Sequence, residues 1–134
     1  MKVEYVPTAF IQQQWPQVER HLAAALEHAH GDLTIDQLRA DLSANRMALY
    51  KFSLGGELKG AAAVSFQNQR NARVAFVVAV GGSGLTNESL RVQFFDLLRK
   101  NGATKVAGAM RESMVRLAGR MGLKKKYVIA EVDL

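Results

Sequence analysis

Apolar positions near the start of the 134-residue sequence recur at the spacing of an α-helix. From Trp15 onward they return every three or four residues, which predicts a helix with one buried face. Pro16 suits the first turn of this helix, and Gly31 suits its end. The apolar positions of this stripe are Trp15, Val18, Leu22, Ala25, Leu26 and Ala29.

Two shorter elements flank and follow this helix. Residues Lys2 to Val6 predict a first strand, which Pro7 ends. A second helix is predicted from Thr34, because Thr34 and Gln37 have the spacing of a capping box. Its apolar stripe is Ile35, Leu38 and Leu42.

The middle of the sequence changes to continuous apolar and β-branched runs. Met47 to Leu54, Leu58 to Phe66 and Ala72 to Val80 each predict a strand. Gly55-Gly56 separates the first two runs, and the polar residues 67–71 separate the second and third. Consecutive strands with short connections predict an antiparallel meander.

The last third alternates between helices and strands. Thr86 is a candidate N-cap for a helix that reaches Asn101, and Gly102 suits its end. A strand at Thr104 to Ala109, a helix at Glu112 to Met121 and a strand at Lys126 to Leu134 follow.

The predicted order is β-α-α-β-β-β-α-β-α-β, in one α/β domain that spans residues 1–134. A strand, helix and strand in series, as in residues 72–109, is most simply a right-handed crossover between parallel strands. We therefore expect a mixed central sheet with helices on both faces.

Composition narrows the class of protein. With 49% hydrophobic residues and no cysteine, the chain can build a core but no disulfide or thiolate metal site, which favours a reducing, cytoplasmic location. No run approaches the roughly 20 apolar residues that a membrane-spanning helix needs, so no membrane association is expected.

The net charge of +6 is unevenly distributed. Residues 91–126 hold ten Lys or Arg against Asp96 and Glu112 alone, a local charge of +8. Such a segment is either a solvated surface or a binding surface for phosphates, nucleic acid or an acidic protein.

Two stretches resemble a known family. NGATKVAGAM is similar to the helix end, glycine and fifth strand of the GNAT N-acetyltransferases, and RLAGRMGLKKKYVIAEVDL is similar to their last helix and closing strand. The resemblance, with the element order, covers almost the whole chain. VVAVGGSGL and GAMRESMVRLAGRMGL resemble, more narrowly, small GNAT-like proteins of tailed bacteriophages and prophages.

The GNAT resemblance implies an acetyl-CoA site in the stretch GGSGLTNESL. In the family, an Arg/Gln-x-x-Gly-x-Gly/Ala motif brings backbone N–H groups to the pyrophosphate at a helix N-terminus. Here Gly82 stands at the Arg/Gln position, and Leu85 and Asn87 stand at the glycine positions, so the motif is absent. The stretch is either a degenerate cofactor loop or an ordinary strand-to-helix turn. The candidate cofactor residues are Val80, Gly82, Ser83, Gly84, Leu85 and Thr86.

The acid and base groups that the resemblance implies are also missing. The strand ARVAFVVAV has no carboxylate, and Ala118 stands where the family usually has a tyrosine. His28 and His30 point to different faces of a helix and have no ligating partners nearby, so no metal site is predicted.

Two functions remain open. One is a GNAT-like protein with weak or no transferase activity that acts as an accessory or virion-associated binding protein, in the host cytoplasm or the virion. The other is an active acyl-CoA-dependent N-acetyltransferase acting on an unidentified amine. In the first, the partner is a macromolecule with an acidic surface, a protein or a nucleic acid, with phage virion proteins among the candidates. The candidate partner-binding residues are Arg111, Arg116, Arg120, Lys124, Lys125 and Lys126.

Overall fold

A five-stranded sheet in the order β1-β2-β3-β4-β5 forms the centre of the protein. The computed structural model describes residues 2–27, 33–110 and 112–134. The strands are β1 (Lys2–Val6), β2 (Ala48–Leu54), β3 (Glu57–Gln69), β4 (Ala72–Gly82) and β5 (Lys105–Gly108). The helices are α1 (Ile11–Leu26), α2 (Ile35–Ser43), α3 (Glu88–Lys100) and α4 (Glu112–Arg120), with short 3₁₀ turns at Thr8–Phe10 and Gly84–Thr86.

The sheet is mixed, as the sequence predicts. Strands β1 to β4 pair antiparallel in sequence order, whereas β5 pairs parallel to β4. The crossover between β4 and β5 runs through α3. The predicted α/β class with a parallel β4–β5 pair is therefore confirmed.

Helices cover both faces of this sheet. On one face, the buried side of α1 and α2 packs on the alanine-rich strands β3 and β4, with Trp15, Val18 and Leu22 at its centre. On the other face, Phe94 of α3 contacts the rings of Tyr50 and Phe52 edge-on. The sheet thus separates two apolar cores, which is the arrangement expected for this fold class.

Helix α1 begins earlier than the sequence predicts. It begins at Ile11, so Pro16 lies inside the helix and not in its first turn. Burial of Ile11 in the first core outweighs the backbone hydrogen bond that Pro16 cannot donate. The predicted contribution of Ala29 and the predicted end at Gly31 lie outside the described residues.

The capping box of α2 is confirmed in both directions. The Thr34 hydroxyl accepts from the Gln37 amide at 3.1 Å, and the Gln37 side chain accepts from the Thr34 amide at 2.9 Å. The box therefore satisfies two backbone amides that would otherwise be unpaired, those of Thr34 and Gln37.

Strand β3 is longer than predicted, because residues 67–69 continue the strand and only Arg70 and Asn71 form the turn. Arg73 stabilises this hairpin end, since its guanidinium donates to Asn68 Oδ1 at 2.9 Å and lies over the Phe66 ring. The polar residues 67–69 therefore remain in the strand because of contacts with the neighbouring strand, which the local sequence pattern does not show.

The N-cap of α3 is Asn87, so the prediction of Thr86 is wrong. Asn87 Oδ1 accepts from the Leu90 amide at 3.1 Å, whereas the Thr86 hydroxyl donates to the Ser83 carbonyl at 2.8 Å. At the other end, Gly102 adopts a φ of 87°, which confirms the predicted helix stop.

The predicted strand at Lys126 to Leu134 is also wrong. Residues 123–134 follow α4 without helix or strand, and residues 124–134 are exposed. Among the described residues no strand pairs with this segment, and a strand needs such a partner for its backbone groups.

Candidate functional site

The pairing of β4 with β5 ends near the middle of β4, where β5 ends. Their parallel pairing runs from Val74 opposite Lys105 to Val77 opposite Gly108, but β4 continues to Gly82. Beyond Val77, the β5-facing edge of β4 therefore has no strand partner among the described residues. We call this unpaired edge, residues 78–82 of β4, the slot.

A β-bulge marks the point of separation. Ala79 pairs with Ala63 and Val77 pairs with Val64, so Val78 has no counterpart on β3. A bulge increases local twist and bends a strand. The bulge at Val78 therefore lies directly after the last β4–β5 pair, at the start of the slot.

The glycines at the end of β4 are required by backbone packing. A Cβ on Gly81 would lie 1.8 Å from the His21 carbonyl oxygen, and a Cβ on Gly82 would lie 2.1 Å from the Lys59 carbonyl oxygen. Gly82 also has a φ of 83°, a region that favours glycine. Packing therefore accounts for these two glycines without a bound phosphate.

The loop after β4 satisfies several of its own polar groups. The Ser83 amide donates to the Lys59 carbonyl at 3.1 Å, and the Leu90 amide is capped by Asn87. Leu85 packs its side chain against the second core. These interactions are those of a strand-to-helix turn and engage amides that an anion would otherwise use.

Two cations near this loop were not predicted from the sequence. Lys59 lies on β3 and shares an open cavity of about 240 Å³ with the loop, and Arg91 Nη1 donates to the Leu85 carbonyl at 3.3 Å. Lys59 also forms an ion pair with Glu57 at 3.2 Å, which offsets its charge. The cavity is lined by Leu54, Lys59, Ser83, Thr86, Asn87 and Leu90.

The register of the β3–β4 hairpin could have located Lys59. Gly60 pairs with Gly82, so the residue before Gly60 lies beside the residue after Gly82. The two are 24 positions apart in sequence, and only the pairing of the strands brings them together. Lys59 therefore lies outside the glycine stretch in sequence, although it is next to that stretch in the fold.

The slot and the loop fit acetyl-CoA to different extents. The free edge of β4 around Val80 offers backbone hydrogen bonds of the kind that an extended amide-containing arm can use. In the loop from Gly82 to Thr86, the Ser83 amide is already engaged by the Lys59 carbonyl. The six predicted cofactor residues all lie within residues 80–86, around the end of β4, but Gly82 and Leu85 among them have packing roles.

His21 is the titratable residue whose backbone contacts the end of β4, at Gly81. Its Nε2 atom is buried without a hydrogen-bond partner in the described part of the chain. Burial, and then the charge of Arg20, lower the pKa of His21 below its ordinary value. His21 is thus favoured in its neutral form.

Tyr50 is buried in the second core, between the rings of Tyr5 and Phe94. Burial raises the pKa of Tyr50, although a hydrogen bond to the Asn101 side chain opposes this shift. Its surroundings are those of a core aromatic residue. Among the described residues, no group of three or more His, Cys, Asp or Glu is placed to hold a metal ion.

The basic residues at the end of the chain are exposed. Arg116 and Arg120 lie on the outer side of α4, and Lys124 to Lys126 follow it. Glu112 pairs with Lys125 at 3.2 Å, so it offsets the charge of Lys125. Arg111, the remaining candidate, lies outside the described residues.

Comparison with solved structures identifies the fold. A probable acetyltransferase superposes with a TM-score of 0.67 at 14% identity, with 100% of both chains covered. A ribosomal-protein-alanine N-acetyltransferase from Brucella melitensis biovar Abortus 2308 gives a TM-score of 0.67 at 12% identity, again with 100% of both chains covered. An aminoglycoside acetyltransferase from an uncultured soil metagenomic sample, in complex with sisomicin, gives 0.68 at 12% identity, covering 99% of this chain and 95% of the other.

These likenesses establish a GNAT-like fold for the whole chain. No protein-family model and no curated protein matches the sequence. In the described part of the chain, no helix has the length and apolar character needed to cross a membrane.

Proposed function

We propose that this protein is a GNAT-like accessory binding protein with weak or no N-acetyltransferase activity. The observation that carries the proposal is the end of β4 and the loop after it, where Gly81 and Gly82 serve backbone packing and the Ser83 amide donates to the Lys59 carbonyl. The motif that would hold the pyrophosphate is absent at the same place. Fold alone does not specify activity, because activity depends on the site.

The surface that we propose for partner binding is the basic surface, defined as Arg111, Arg116, Arg120 and Lys124 to Lys126. Its described members are exposed and lie on or just after one short helix. Glu112 is the only acidic residue of α4, and its carboxylate pairs with Lys125. A positive surface of this kind attracts an acidic protein surface or a nucleic acid.

The narrower resemblance of VVAVGGSGL and GAMRESMVRLAGRMGL supports an origin in a tailed bacteriophage or prophage. In that setting the acidic partner would be a virion protein or a nucleic acid. The protein would then be found in the host cytoplasm or in the virion.

A second function, transfer of an acyl group from acyl-CoA to an amine, is favoured by the slot between β4 and β5. Residues 78–82 keep a free strand edge just after the bulge at Val78. Acetyl-CoA would supply the acetyl group as an activated thioester. The backbone of Val80 would hold the extended arm, and Lys59 would lie near the phosphates at the N-terminus of α3.

Titration with acetyl-CoA, followed by calorimetry and thermal denaturation, tests between these functions. A ligand at ten times its Kd stabilises the folded state by about 1.4 kcal/mol, which corresponds to a shift of a few degrees in Tm. We expect a shift only at millimolar acetyl-CoA. Tight binding with turnover of an amine would establish the transferase instead.

Adenosine 3′,5′-bisphosphate is the control ligand in this titration. It carries the base, the 3′-phosphate and one of the two 5′-phosphates of CoA, but not the extended arm that the slot would hold. An equal Tm shift with both ligands would show that the arm adds nothing to binding. Loss of that shift in the Arg116→Glu, Arg120→Glu variant would assign it to the basic surface, whereas an unchanged shift would leave the start of α3 as the phosphate site.

The same double reversal tests the basic surface with defined polyanions, duplex DNA and poly-glutamate. We expect the Tm to change little, because exposed charges contribute about 0 to 1 kcal/mol each to stability. Affinity for the preferred polyanion should fall, and the slope of log K against log salt should decrease by about 2. The control is the Lys2→Glu, Arg70→Glu variant, which has the same net charge but changes residues elsewhere. Equal loss in both variants would show a non-specific charge effect and contradict the proposal.

A further inference from the structure

The hairpin of β3 and β4 extends beyond the rest of the sheet at its turn. Strand β2 pairs with β3 only as far as Val64, and β5 pairs with β4 only from Val74 onward. Residues 65–73, which we call the ribbon, therefore have a single neighbouring strand each, or lie in the turn, within the described part of the chain. The tip of the ribbon, residues 67–71, is exposed throughout.

The ribbon is rich in the side chains that bind nucleic acids. Its nine residues, SFQNQRNAR, include four amides and two arginines. No Asp or Glu occurs in residues 58–87, so the ribbon carries no negative charge. Asn and Gln side chains match the N6 and N7 edge of adenine, and Arg matches the O6 and N7 edge of guanine. The four amides are Gln67, Asn68, Gln69 and Asn71.

Arg73 holds the base of the ribbon in place. Its guanidinium donates from Nε to the Asn101 carbonyl at 3.0 Å as well as from Nη1 to Asn68, and its own carbonyl accepts from the Thr104 amide at 2.8 Å. The ribbon is thereby tied to the turn between α3 and β5. The side chains of residues 69–71, in contrast, have no hydrogen bond or ion pair with another described residue. A fixed support with unpaired polar groups at its tip is suited to binding.

Two lysines flank the turn that Arg73 contacts. Lys100 ends α3, and Lys105 begins β5. Both are exposed, and neither forms an ion pair with a described residue. Lys105 and Gln67 both pair with Val74, so they lie at the same level of the sheet. The tip extends about two residues, or roughly 7 Å, beyond that level.

These dimensions match the major groove of B-form DNA. That groove is about 12 Å wide and about 8.5 Å deep, and it admits a two-stranded ribbon. A tip that projects roughly 7 Å reaches the base edges while the lysines at its base stay at the level of the phosphates. Duplex RNA fits less well, because its major groove is deep and narrow.

We propose that the tip of the ribbon enters the major groove of duplex DNA. Gln69, Arg70 and Asn71 contact base edges there. Lys100 and Lys105 contact phosphates on the two sides of the groove. The site lies apart from the basic surface, and it does not depend on whether the protein transfers an acetyl group.

Fluorescence anisotropy with a short mixed-sequence DNA duplex tests the groove. Replacement of adenine and guanine by their 7-deaza analogues removes the N7 acceptors of the major groove and leaves the phosphates unchanged. We expect affinity to fall about fivefold or more, the effect of losing one good base contact. Duplex RNA of the same sequence should also bind more weakly. Equal affinity for the normal and 7-deaza duplexes, or for DNA and RNA, would overturn the proposal.

The amides at the tip should account for the difference between the two DNA duplexes. The Gln69→Ala, Asn71→Ala variant should bind the normal and the 7-deaza duplex nearly equally. Its Tm and its slope of log K against log salt should not change, because neither side chain is charged or engaged in the fold. A variant that keeps the full preference for the normal duplex would contradict contact of these amides with base edges.

The two lysines should act on affinity and not on the preference. Lys100→Ala, Lys105→Ala should weaken binding of both DNA duplexes and lower the salt slope by about 2. The matched control is Lys2→Ala, Lys51→Ala, which removes the same charge at the β1 and β2 side of the sheet and should leave the slope unchanged. An equal decrease in both variants would show general attraction by net charge and overturn the proposed phosphate contacts.

Poly-glutamate separates the ribbon from the basic surface, because it offers negative charge without base edges. Gln69→Ala, Asn71→Ala should leave poly-glutamate binding unchanged, and equal weakening of poly-glutamate and duplex DNA would overturn the proposal. Arg70 belongs to the tip, so Lys2→Glu, Arg70→Glu should lose affinity for duplex DNA. That variant is therefore a control for the basic surface with poly-glutamate and not with DNA. Undiminished DNA binding by Lys2→Glu, Arg70→Glu would place the DNA site away from the ribbon.

Discussion

Gly81 and His21 bring β4 and α1 into direct backbone contact. A Cβ on residue 81 would lie 1.8 Å from the His21 carbonyl oxygen and 3.1 Å from the His21 Cα. The neighbouring atoms belong to backbone, so no side-chain rotation can make room. The glycine cluster after VVAV therefore sets how closely the first helix approaches the sheet.

Replacement of Gly81 should consequently destabilise the fold. We expect Gly81→Ala to lower the free energy of unfolding by about 3 kcal/mol, since overpacking against backbone forces α1 to move. Urea denaturation measures this change. Gly119→Ala is the control, because nothing lies within 4 Å of its added Cβ, and alanine favours a helix by about 1 kcal/mol over glycine. Equal stability of Gly81→Ala and the unchanged protein would contradict the close packing.

The capping box of α2 makes a second stability prediction. Thr34→Ala should lower the free energy of unfolding by about 1 kcal/mol, because the Gln37 amide loses its acceptor. Thr34→Ser keeps a hydroxyl in the same place and should retain most of the stability. Combination with Gln37→Ala should be less than additive, since both substitutions break the same reciprocal pair. Full additivity in chemical denaturation would argue against the box.

The lowered pKa of His21 predicts a dependence of stability on pH. The unfolded state binds a proton at the ordinary pKa of about 6.5, whereas the folded state binds it only at lower pH. The contribution of neutral His21 is therefore present above the unfolded pKa and is lost as pH falls toward the folded pKa. Denaturant unfolding at pH about 7.5 and about 5.5 should show this loss.

His21→Gln is the comparison for that measurement, because it removes the titrating group and leaves His28 and His30 in place. The variant should lose less stability between the two pH values than the unchanged protein does. An identical pH dependence in both proteins would assign the effect to other groups. An NMR titration of the His21 ring would then be expected to give an ordinary pKa.

The sequence predicted the fold where local periodicity and core packing agree. The stripe through Leu38 and Leu42 and the helix stop at Gly102 are found as expected, because each depends on neighbours a few residues away. The start of α1 was missed, because the burial of Ile11 is a tertiary effect. Apolar and polar residues alternate in residues 126–134 as they do in a strand. A strand also needs a neighbouring strand to pair with, and the local sequence does not show whether one is present.

The candidate site was only partly predictable for the same reason. The glycines could be found in the sequence, but their role depends on the backbone of His21 and Lys59, which lie on other elements. Thr86 and Asn87 are both suitable N-caps, and local pattern cannot choose between them. The choice follows from the 3₁₀ turn before α3, where the Thr86 hydroxyl bonds to the Ser83 carbonyl.

Asn87 allows the stability of α3 and the binding of acyl-CoA to be separated. Its Oδ1 caps the Leu90 amide, and its side chain lines the cavity that Lys59 shares. Asn87→Ala should cost about 1 kcal/mol of stability. Asn87→Asp keeps a capping oxygen and adds a negative charge that the helix N-terminus favours, so its Tm should equal or exceed that of the unchanged protein. The same charge would repel a pyrophosphate, so any Tm shift caused by millimolar acetyl-CoA should shrink in Asn87→Asp. An undiminished shift in this stable variant would show that acetyl-CoA does not place its phosphates at the start of α3.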